Sequence, residues 1–206
     1  MIRVAGRVII TNQRGRGPVM QLPILTTGRL LLEPLTQAHS DGMFALWSAP
    51  EVCAYSGRAF DLQGNEIPLP AQSARDSDRI IAFFQAMQAS GTGCRWAMRS
   101  LVADAPGGAA GAAFSGVFVG AVGFNVLGAR AELAYHLHPR FWGNGLMQEA
   151  CAAALAWIAR EGTQEVEAFI EQDNLASVRL ALRLRFLPAQ AAKDGAWRYV
   201  LRVSAG

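Results

Sequence analysis

The chain has 206 residues, is 51% apolar and carries a formal net charge of +3. This length suits one domain with a substantial core, and no run approaches the roughly 18 to 20 consecutive apolar residues that a membrane span needs. The three cysteines are widely spaced and form no CxxC pair, which favours a reducing, cytoplasmic location and argues against disulfides or a zinc site.

The N-terminal stretch carries the basic excess. The first 19 residues hold no acid and the arginines Arg3, Arg7, Arg14 and Arg16. These charges interrupt any secretory signal. The chain has 19 basic and 16 acidic residues in total, and without these four arginines 15 basic and 16 acidic residues remain. The rest of the chain therefore has no electrostatic reason to bind nucleic acid. Lacking periodicity, residues 1–22 are predicted to be a flexible extension and 23–206 the domain, with Met20 as a hypothetical natural start.

Apolar spacing and breaker residues predict the elements that follow. They are a strand within 26–35, a helix over 37–48, a loop over 56–75, a helix capped by Asp76 or Ser77, strands over 95–103, 117–127 and 131–138, a helix from 145 to 160, a strand over 166–170, a helix over 174–185 and a strand over 197–203. A low-complexity hairpin loop covers 104–116. Three antiparallel strands before a β-α-β-α-β half predict an α/β (α+β) fold, with a mixed, mostly antiparallel sheet flanked by helices.

The segment over 131–150, AELAYHLHPRFWGNGLMQEA, is the most informative. A strand runs into Pro139, and Gly143 and Gly145 then open a helix. Glycine allows a tight turn and close approach of a ligand, and the first amides of a helix attract phosphate groups. A nucleotide-type ligand at 142–147 is one interpretation, and an ordinary strand-to-helix turn is the other. The turn matches neither a P-loop nor a dinucleotide fingerprint.

The same segment resembles the cofactor-binding motif of the GNAT superfamily of N-acetyltransferases, [Q/R]-x-x-G-x-[G/A]. Trp142 stands at its first position, Gly145 at its central glycine and Met147 at its last. Trp in the first position and the Glu149-Ala150 pair are typical of the branch of ribosomal-protein N-terminal acetyltransferases. The segments TTGRLLLEPL, AELAYHL and DNLASVRLALRLRF agree with that branch, so the resemblance spans roughly 26–187.

The resemblance implies acetyl-CoA as co-substrate and assigns roles to named residues. Backbone amides would bind the CoA pyrophosphate from Trp142, Gly143, Asn144, Gly145, Leu146 and Met147. Main-chain groups of Leu137 and His138 would contact pantetheine and the acetyl carbonyl, and an N–H there would stabilise the oxyanion. Asn174 would hydrogen-bond the cofactor and Ser177 would protonate the CoA thiolate, although Asn174 also suits an ordinary N-cap. Tyr135 is interpreted as packing.

Glu132, on the strand that leads into the motif, is the first candidate for the general base, directly or through water. The alternative is a solvent-facing or salt-bridged carboxylate. By strand alternation Glu132 shares a face with His136 and His138, opposite Leu133 and Tyr135. His136 is a substrate-side residue or a second base candidate. A metal site at His136 and His138 is not expected, because no cluster of further ligands accompanies the pair.

Other interpretations stay open. A non-catalytic acyl-CoA-binding module would keep the turn without the chemistry, and a phosphate-binding transferase would use it for another nucleotide. The branch favours a protein N-terminus as acceptor over a small-molecule amine, and relatives make a homodimer possible. We expect residues 41–75 to form the acceptor side. Glu149 is expected to complement its helix dipole, and Arg185 stands where the family has a helix-ending glycine.

Overall fold

The computed structural model describes residues 21–101, 116–191 and 195–204. The predicted extension over 1–22, apart from its last two residues, and nearly all of the predicted hairpin loop over 104–116 lie outside the described residues, so both stay predictions. Leu22, at the predicted domain boundary, is 7% exposed and belongs to the core.

The first part of the chain combines strands with three helices, and a β-α-β-α-β-β part follows it. The strands are β1 (Leu25–Thr26), β2 (Leu30–Pro34), β3 (Ala59–Phe60), β4 (Glu66–Ile67), β5 (Cys94–Ser100), β6 (Phe118–Val126), β7 (Arg130–Leu137), β8 (Glu165–Glu171), β9 (Leu187–Ala191) and β10 (Ala196–Arg202). The α-helices are α1 (Ser40–Trp47), α2 (Pro50–Cys53), α3 (Ala74–Ala89), α4 (Leu146–Arg160) and α5 (Leu175–Arg183). Over the described ranges, no helix is long and apolar enough to cross a membrane.

One eight-stranded sheet organises the domain in the order β1-β2-β5-β6-β7-β8-β10-β9. Its neighbours pair antiparallel except β7 and β8, which are parallel. The predicted mixed, mostly antiparallel sheet flanked by helices is therefore confirmed. Strands β3 and β4 form a separate small hairpin inside the predicted loop over 56–75.

Helices cover both faces of the sheet, and a hydrophobic core lies on each face. Helix α4 packs on one face, where Trp157 meets Trp96 edge to face at 4.9 Å between ring centroids. Helices α1 and α3 cover the other face. Leu133 and Tyr135 of β7 lie in the core on the α4 side, on the face opposite Glu132 that strand alternation predicted. The irregularity in the β6–β7 pairing falls between Phe124 and Val126 of β6, so the alternation of β7 is intact.

The start of α3 differs from the prediction. Ser73 is the N-cap, three residues before Asp76, and the two form a capping box in which the Ser73 backbone N–H donates to Asp76 Oδ2 at 3.0 Å. The prediction that Asp76 or Ser77 caps the helix was wrong, because Asp76 works from inside the first turn.

Strands β7 and β8 pair over only three positions, Arg130–Glu132 with Glu165–Glu167, and both strands continue beyond them. Past Glu132 the two strands separate, although β7 stays paired with β6 and β8 with β10. The middle of the sheet therefore opens into a notch at the carboxyl ends of two parallel strands.

Helix α5 ends in a left-handed turn at Arg185, whose φ is 66°. The backbone N–H of Phe186 donates to Ala181 O at 2.9 Å and that of Arg185 to Leu182 O at 3.0 Å. This is the Schellman arrangement, which normally uses glycine at the position of Arg185. The departure from the family pattern thus keeps the turn geometry and adds strain.

Replacing Arg185 with glycine should raise the free energy of unfolding by about 0.5 to 1 kcal/mol, because relief of left-handed strain exceeds the added unfolded-state entropy. Urea denaturation of R185G measures this gain. The control R185A also loses the exposed side chain but keeps the strain, so its stability should stay near wild type. Equal gains in both variants would contradict the backbone explanation.

Candidate active site

A cleft of about 620 Å³ lies at the notch between β7 and β8, between the start of α4 and the start of α5. Most of the predicted site residues line it: Leu137, Trp142, Gly143, Gly145, Leu146, Met147, Asn174 and Ser177. Glu132, His138 and Asn144 do not line it. The structure thus brings residues from the strand, the turn and the second helix to one place.

The glycine turn presents unpaired backbone amides to this cleft. Gly143 and Gly145 have φ values of 78° and 74°, in the left-handed region that side chains disfavour. No backbone N–H from 143 to 148 donates a hydrogen bond to any residue that the structure describes, and the first helical bond comes from Glu149 to Gly145 O at 3.1 Å. A row of free amides at a helix start binds anions, so the turn fits a phosphate or pyrophosphate group.

Asn144 stabilises the turn from within. Its Nδ2 donates to Trp142 O at 3.0 Å and to Phe141 O at 3.3 Å. The side chain therefore faces the preceding 3-10 turn, and only the backbone of Asn144 is left for the predicted anion contact.

The open edge of β7 distinguishes the two predicted main-chain contacts. The His138 N–H donates to Val119 O at 2.9 Å and is already used. Hydrogen bonding alternates along an antiparallel strand, so the N–H and C=O of Leu137 point away from β6, towards the notch. The Leu137 carbonyl accepts a hydrogen bond from Trp142 Nε1 at 2.7 Å there. Of the two positions, Leu137 is the one that can meet a ligand.

Asn174 and Ser177 meet at the start of α5. Asn174 Oδ1 accepts from the Ser177 N–H at 3.1 Å, so Asn174 is the N-cap of this helix. Both side chains are buried and both line the cleft. Tyr135 lines it too, and burial raises the pKa of its phenol while the Ser177 side chain opposes the rise. A protonated phenol and a hydroxyl are therefore neighbours in the cleft.

Glu132 is buried rather than solvent-facing, with an exposed fraction of 6%. Its Oε1 accepts a hydrogen bond from Asn125 Nδ2 at 2.7 Å, and Asn125 Oδ1 accepts from Arg95 Nη2 at 2.6 Å. Burial raises the pKa of Glu132 to about 7, Asn125 and Arg95 oppose the rise, and Glu167 adds to it. The carboxyl is thus poised near neutral pH, although it sits behind the cleft wall.

His136 is the residue on the same strand face that does reach the cleft. It is 6% exposed, and its ring lies 4.5 Å from the Trp47 ring between centroids. Its Nε2 has no hydrogen-bond partner among the residues described. Burial first, and Arg95 second, lower the pKa of His136 well below 6.5, so the imidazole is neutral. A neutral ring with a free nitrogen faces the site.

Several cleft residues were not singled out from the sequence, and the polar ones among them include Glu51, Tyr55, Arg179 and Arg183. Glu51 and Tyr55 do fall within residues 41–75, where the acceptor side was expected. Arg179 and Arg183 stand four residues apart on α5, and this helical spacing could have identified them. Glu51 belongs to α2, which no sequence pattern had predicted. Within the ranges that the structure covers, no group of three or more His, Cys, Asp or Glu side chains is arranged to hold a metal ion.

Comparisons with known proteins identify the family and the fold. The family model described as the acetyltransferase (GNAT) domain matches residues 29–187. The chain is 28% identical over 168 residues to the uncharacterized N-acetyltransferase YoaA of Bacillus subtilis (strain 168), covering 80% of this chain and 82% of that protein.

Solved structures show the same fold. The acetyltransferase from Salmonella typhimurium that modifies the N-terminal serine of ribosomal protein L7/L12 superposes with a TM-score of 0.64 at 16% identity, over 88% of this chain and all of that chain. RimL, the ribosomal L7/L12 α-N-protein acetyltransferase in complex with coenzyme A, gives a TM-score of 0.67 at 16% identity, over 89% of this chain and all of that chain. Since the family model covers well over half of its residues, the chain belongs to the GNAT family and is an acetyltransferase.

Proposed function

We propose that this acetyltransferase moves the acetyl group of acetyl-CoA to a primary amine by direct attack in the cleft between β7 and β8. The observation that carries the proposal is the row of unpaired amides from 143 to 148 beside the open edge of β7. The row of amides suits a pyrophosphate, and the open strand edge suits an extended arm that contains amides. CoA contains both of these groups. The coenzyme A in the RimL structure supports this assignment.

The backbone of β7 supplies the oxyanion contact. Attack of the amine on the thioester carbonyl places negative charge on the carbonyl oxygen, and a fixed N–H at that point stabilises it. The Leu137 N–H faces the notch, whereas that of His138 is bonded to Val119. Leu137 is therefore the proposed donor.

Collapse of the intermediate breaks the carbon–sulfur bond and leaves a CoA thiolate that needs a proton. Ser177 is the proposed donor, as its place on the cleft wall allows. The phenol of Tyr135 in the same cleft keeps its proton at neutral pH, because burial raises its pKa. Ser177 is therefore proposed to take a proton from water after the transfer, which restores its hydroxyl.

The attacking amine must lose a proton, and Glu132 is the proposed final acceptor. Its pKa of about 7 suits proton transfer near neutral pH. Because Glu132 lies behind the wall, the proton must pass through water or through the free nitrogen of His136. The burial of both groups protects this path from bulk solvent.

The acceptor is proposed to be a protein N-terminus. The Salmonella and RimL enzymes that share the fold act on the N-terminus of L7/L12. In this chain Glu51 and Tyr55 line the cleft on the side of α2, and the exposed carboxylate favours an acceptor that arrives as an ammonium ion. A small amine remains the alternative, and the cytoplasmic location and a homodimer stay predictions.

Acetyl-CoA and CoA should raise the midpoint of thermal unfolding, since a ligand at a hundredfold excess over its Kd adds roughly 2.7 kcal/mol. ATP and NAD at the same concentration serve as controls. Acetyl-CoA with peptides bearing a free N-terminus should also release thiol. A shift in the midpoint without thiol release in the presence of any amine would favour the non-catalytic module. The absence of a shift with CoA ligands would contradict the proposal.

The rate should depend on the ionisation of Glu132. We expect kcat/KM to rise with pH through about 7, and E132Q to lose this limb with a fall of about 10²- to 10³-fold at pH 8. The control E167Q removes the neighbouring charge that raises the pKa of Glu132, so its limb should move to lower pH. With an acceptor amine whose own pKa lies well above 7, retention of the limb near pH 7 in E132Q would exclude Glu132 as the base.

Stability offers an independent check on the same group. The pKa of Glu132 is raised from 4.5 to about 7, so the folded state binds the proton more tightly. Wild-type stability should therefore fall as pH rises from 4.5 through 7, and E132Q should remove this part of the fall. Urea titrations at several pH values measure it.

Arg179 and Arg183 should strengthen binding of the CoA phosphates. Both are exposed cations on the cleft side of α5, so replacing both with alanine should raise the Kd for acetyl-CoA about 5- to 20-fold and flatten its salt dependence. R75A removes an exposed arginine that does not line the cleft and is the control. Unchanged affinity in the double variant would contradict this role.

A further inference from the structure

A polar cluster ties the start of β2 to the start of α4. Glu149 Oε1 accepts hydrogen bonds from Thr27 Oγ1 at 2.6 Å and from the Arg29 backbone N–H at 2.8 Å. Glu149 Oε2 accepts from Arg29 Nε at 2.7 Å and forms an ion pair with Arg29 Nη2 at 2.7 Å. The carboxylate thus does more than complement its helix dipole, because it holds two nitrogens of the Arg29 side chain as well as the Arg29 backbone N–H.

The remaining nitrogen of the same guanidinium reaches the glycine turn. Arg29 Nη1 donates to the backbone carbonyl of Asn144 at 2.9 Å. Arg29 Nη2 also lies 3.6 Å from the point where a Cβ on Gly145 would stand. The guanidinium therefore lies against the back of the turn, and neither Arg29 nor Glu149 lines the cleft.

This contact fixes the direction of a cleft amide. In a trans peptide the C=O of one residue and the N–H of the next point in opposite directions. Holding the Asn144 carbonyl towards Arg29 therefore turns the Gly145 N–H away from it. Both glycines of the turn have left-handed φ and no Cβ, so without an external contact this peptide plane could rotate more easily than most.

The pair is too exposed to act mainly on stability. The side chains of Arg29 and Glu149 are 41% and 21% exposed, and ion pairs that water reaches in this way contribute little to stability. The planar guanidinium instead suits a positioning role, since it can hydrogen-bond a carboxylate on one edge and a carbonyl on the other. Lysine has no such fork.

We propose that Arg29, oriented by Glu149, is a positioning residue that aims the amides of the glycine turn at the CoA pyrophosphate. This inference rests on the proposed function, in which that turn binds acetyl-CoA. It adds a residue from the beginning of the domain, 115 positions before the carbonyl it holds, to the machinery of cofactor binding.

Two acetyl donors separate positioning from general damage. Acetyl-CoA carries the pyrophosphate, whereas acetyl-pantetheine carries the same thioester and arm without it. R29M keeps an apolar stem but loses every polar contact of the side chain, and kcat/KM should fall about 10- to 100-fold with acetyl-CoA, mainly through KM. With acetyl-pantetheine kcat/KM should stay within about twofold of wild type.

Matched variants sharpen the comparison. R29K keeps the charge but not the fork, so it should recover only part of the loss. E149Q should weaken acetyl-CoA use in the same direction, and the R29M/E149Q double variant should be no worse than R29M alone, because both changes disable one contact. Thermal unfolding of each variant verifies that it is folded.

The outcomes are distinct. Equal losses with both donors, or no loss with either, would overturn the positioning role while leaving the acetyltransferase proposal intact. If wild type released no thiol, the acetyltransferase proposal would fail. Calorimetric binding of CoA and pantetheine to wild type and R29M would still test whether Arg29 positions the glycine turn. R29M that binds CoA as tightly as wild type would refute it.

Discussion

The separation of β7 from β8 is the constraint on which the site depends. Two parallel strands pair at three positions and then part, although each remains bonded to its other neighbour. A strand edge left open in the middle of a sheet has polar groups that need partners. An extended ligand with amides of its own can complete the sheet there. The glycine turn, α5 and the short helix α2 are all placed around this opening.

Charge is distributed unevenly around that opening. A buried chain of Arg95, Asn125 and Glu132 lies on the α1 and α3 side, and the Arg95 guanidinium sits 4.3 Å from the centroid of the Phe84 ring. The buried cation helps to keep His136 neutral, and burial keeps Glu132 easy to protonate. Unpaired amides and exposed arginines lie on the side of α4 and α5. One half of the cleft therefore suits proton transfer and the other suits phosphate.

The sequence predicted the parts of this arrangement that local chemistry determines. Alternation placed Glu132 and Leu133 on opposite faces of β7, and two glycines before an apolar helix located the turn whose backbone amides are unpaired. What it missed depends on tertiary contacts. Nothing local to Glu132 tells that Asn125 and Arg95 surround it, and the pairing of Arg29 with Glu149 spans 120 positions. The short helix α2 and the early cap at Ser73 rest on one turn each, where patterns are weakest.

The indole of Trp142 gives the open edge an occupant of its own. Its N–H bonds the Leu137 carbonyl, yet the side chain is 48% exposed and has little packing to lose by moving. A pantetheine amide that takes the same carbonyl exchanges one hydrogen bond for another, so this contact adds little net affinity. Its value is selective, because a ligand without a donor at that point must leave the indole in place or the carbonyl bare. In the proposed function, the arm of acetyl-CoA is therefore selected by competition with one of the protein's own side chains.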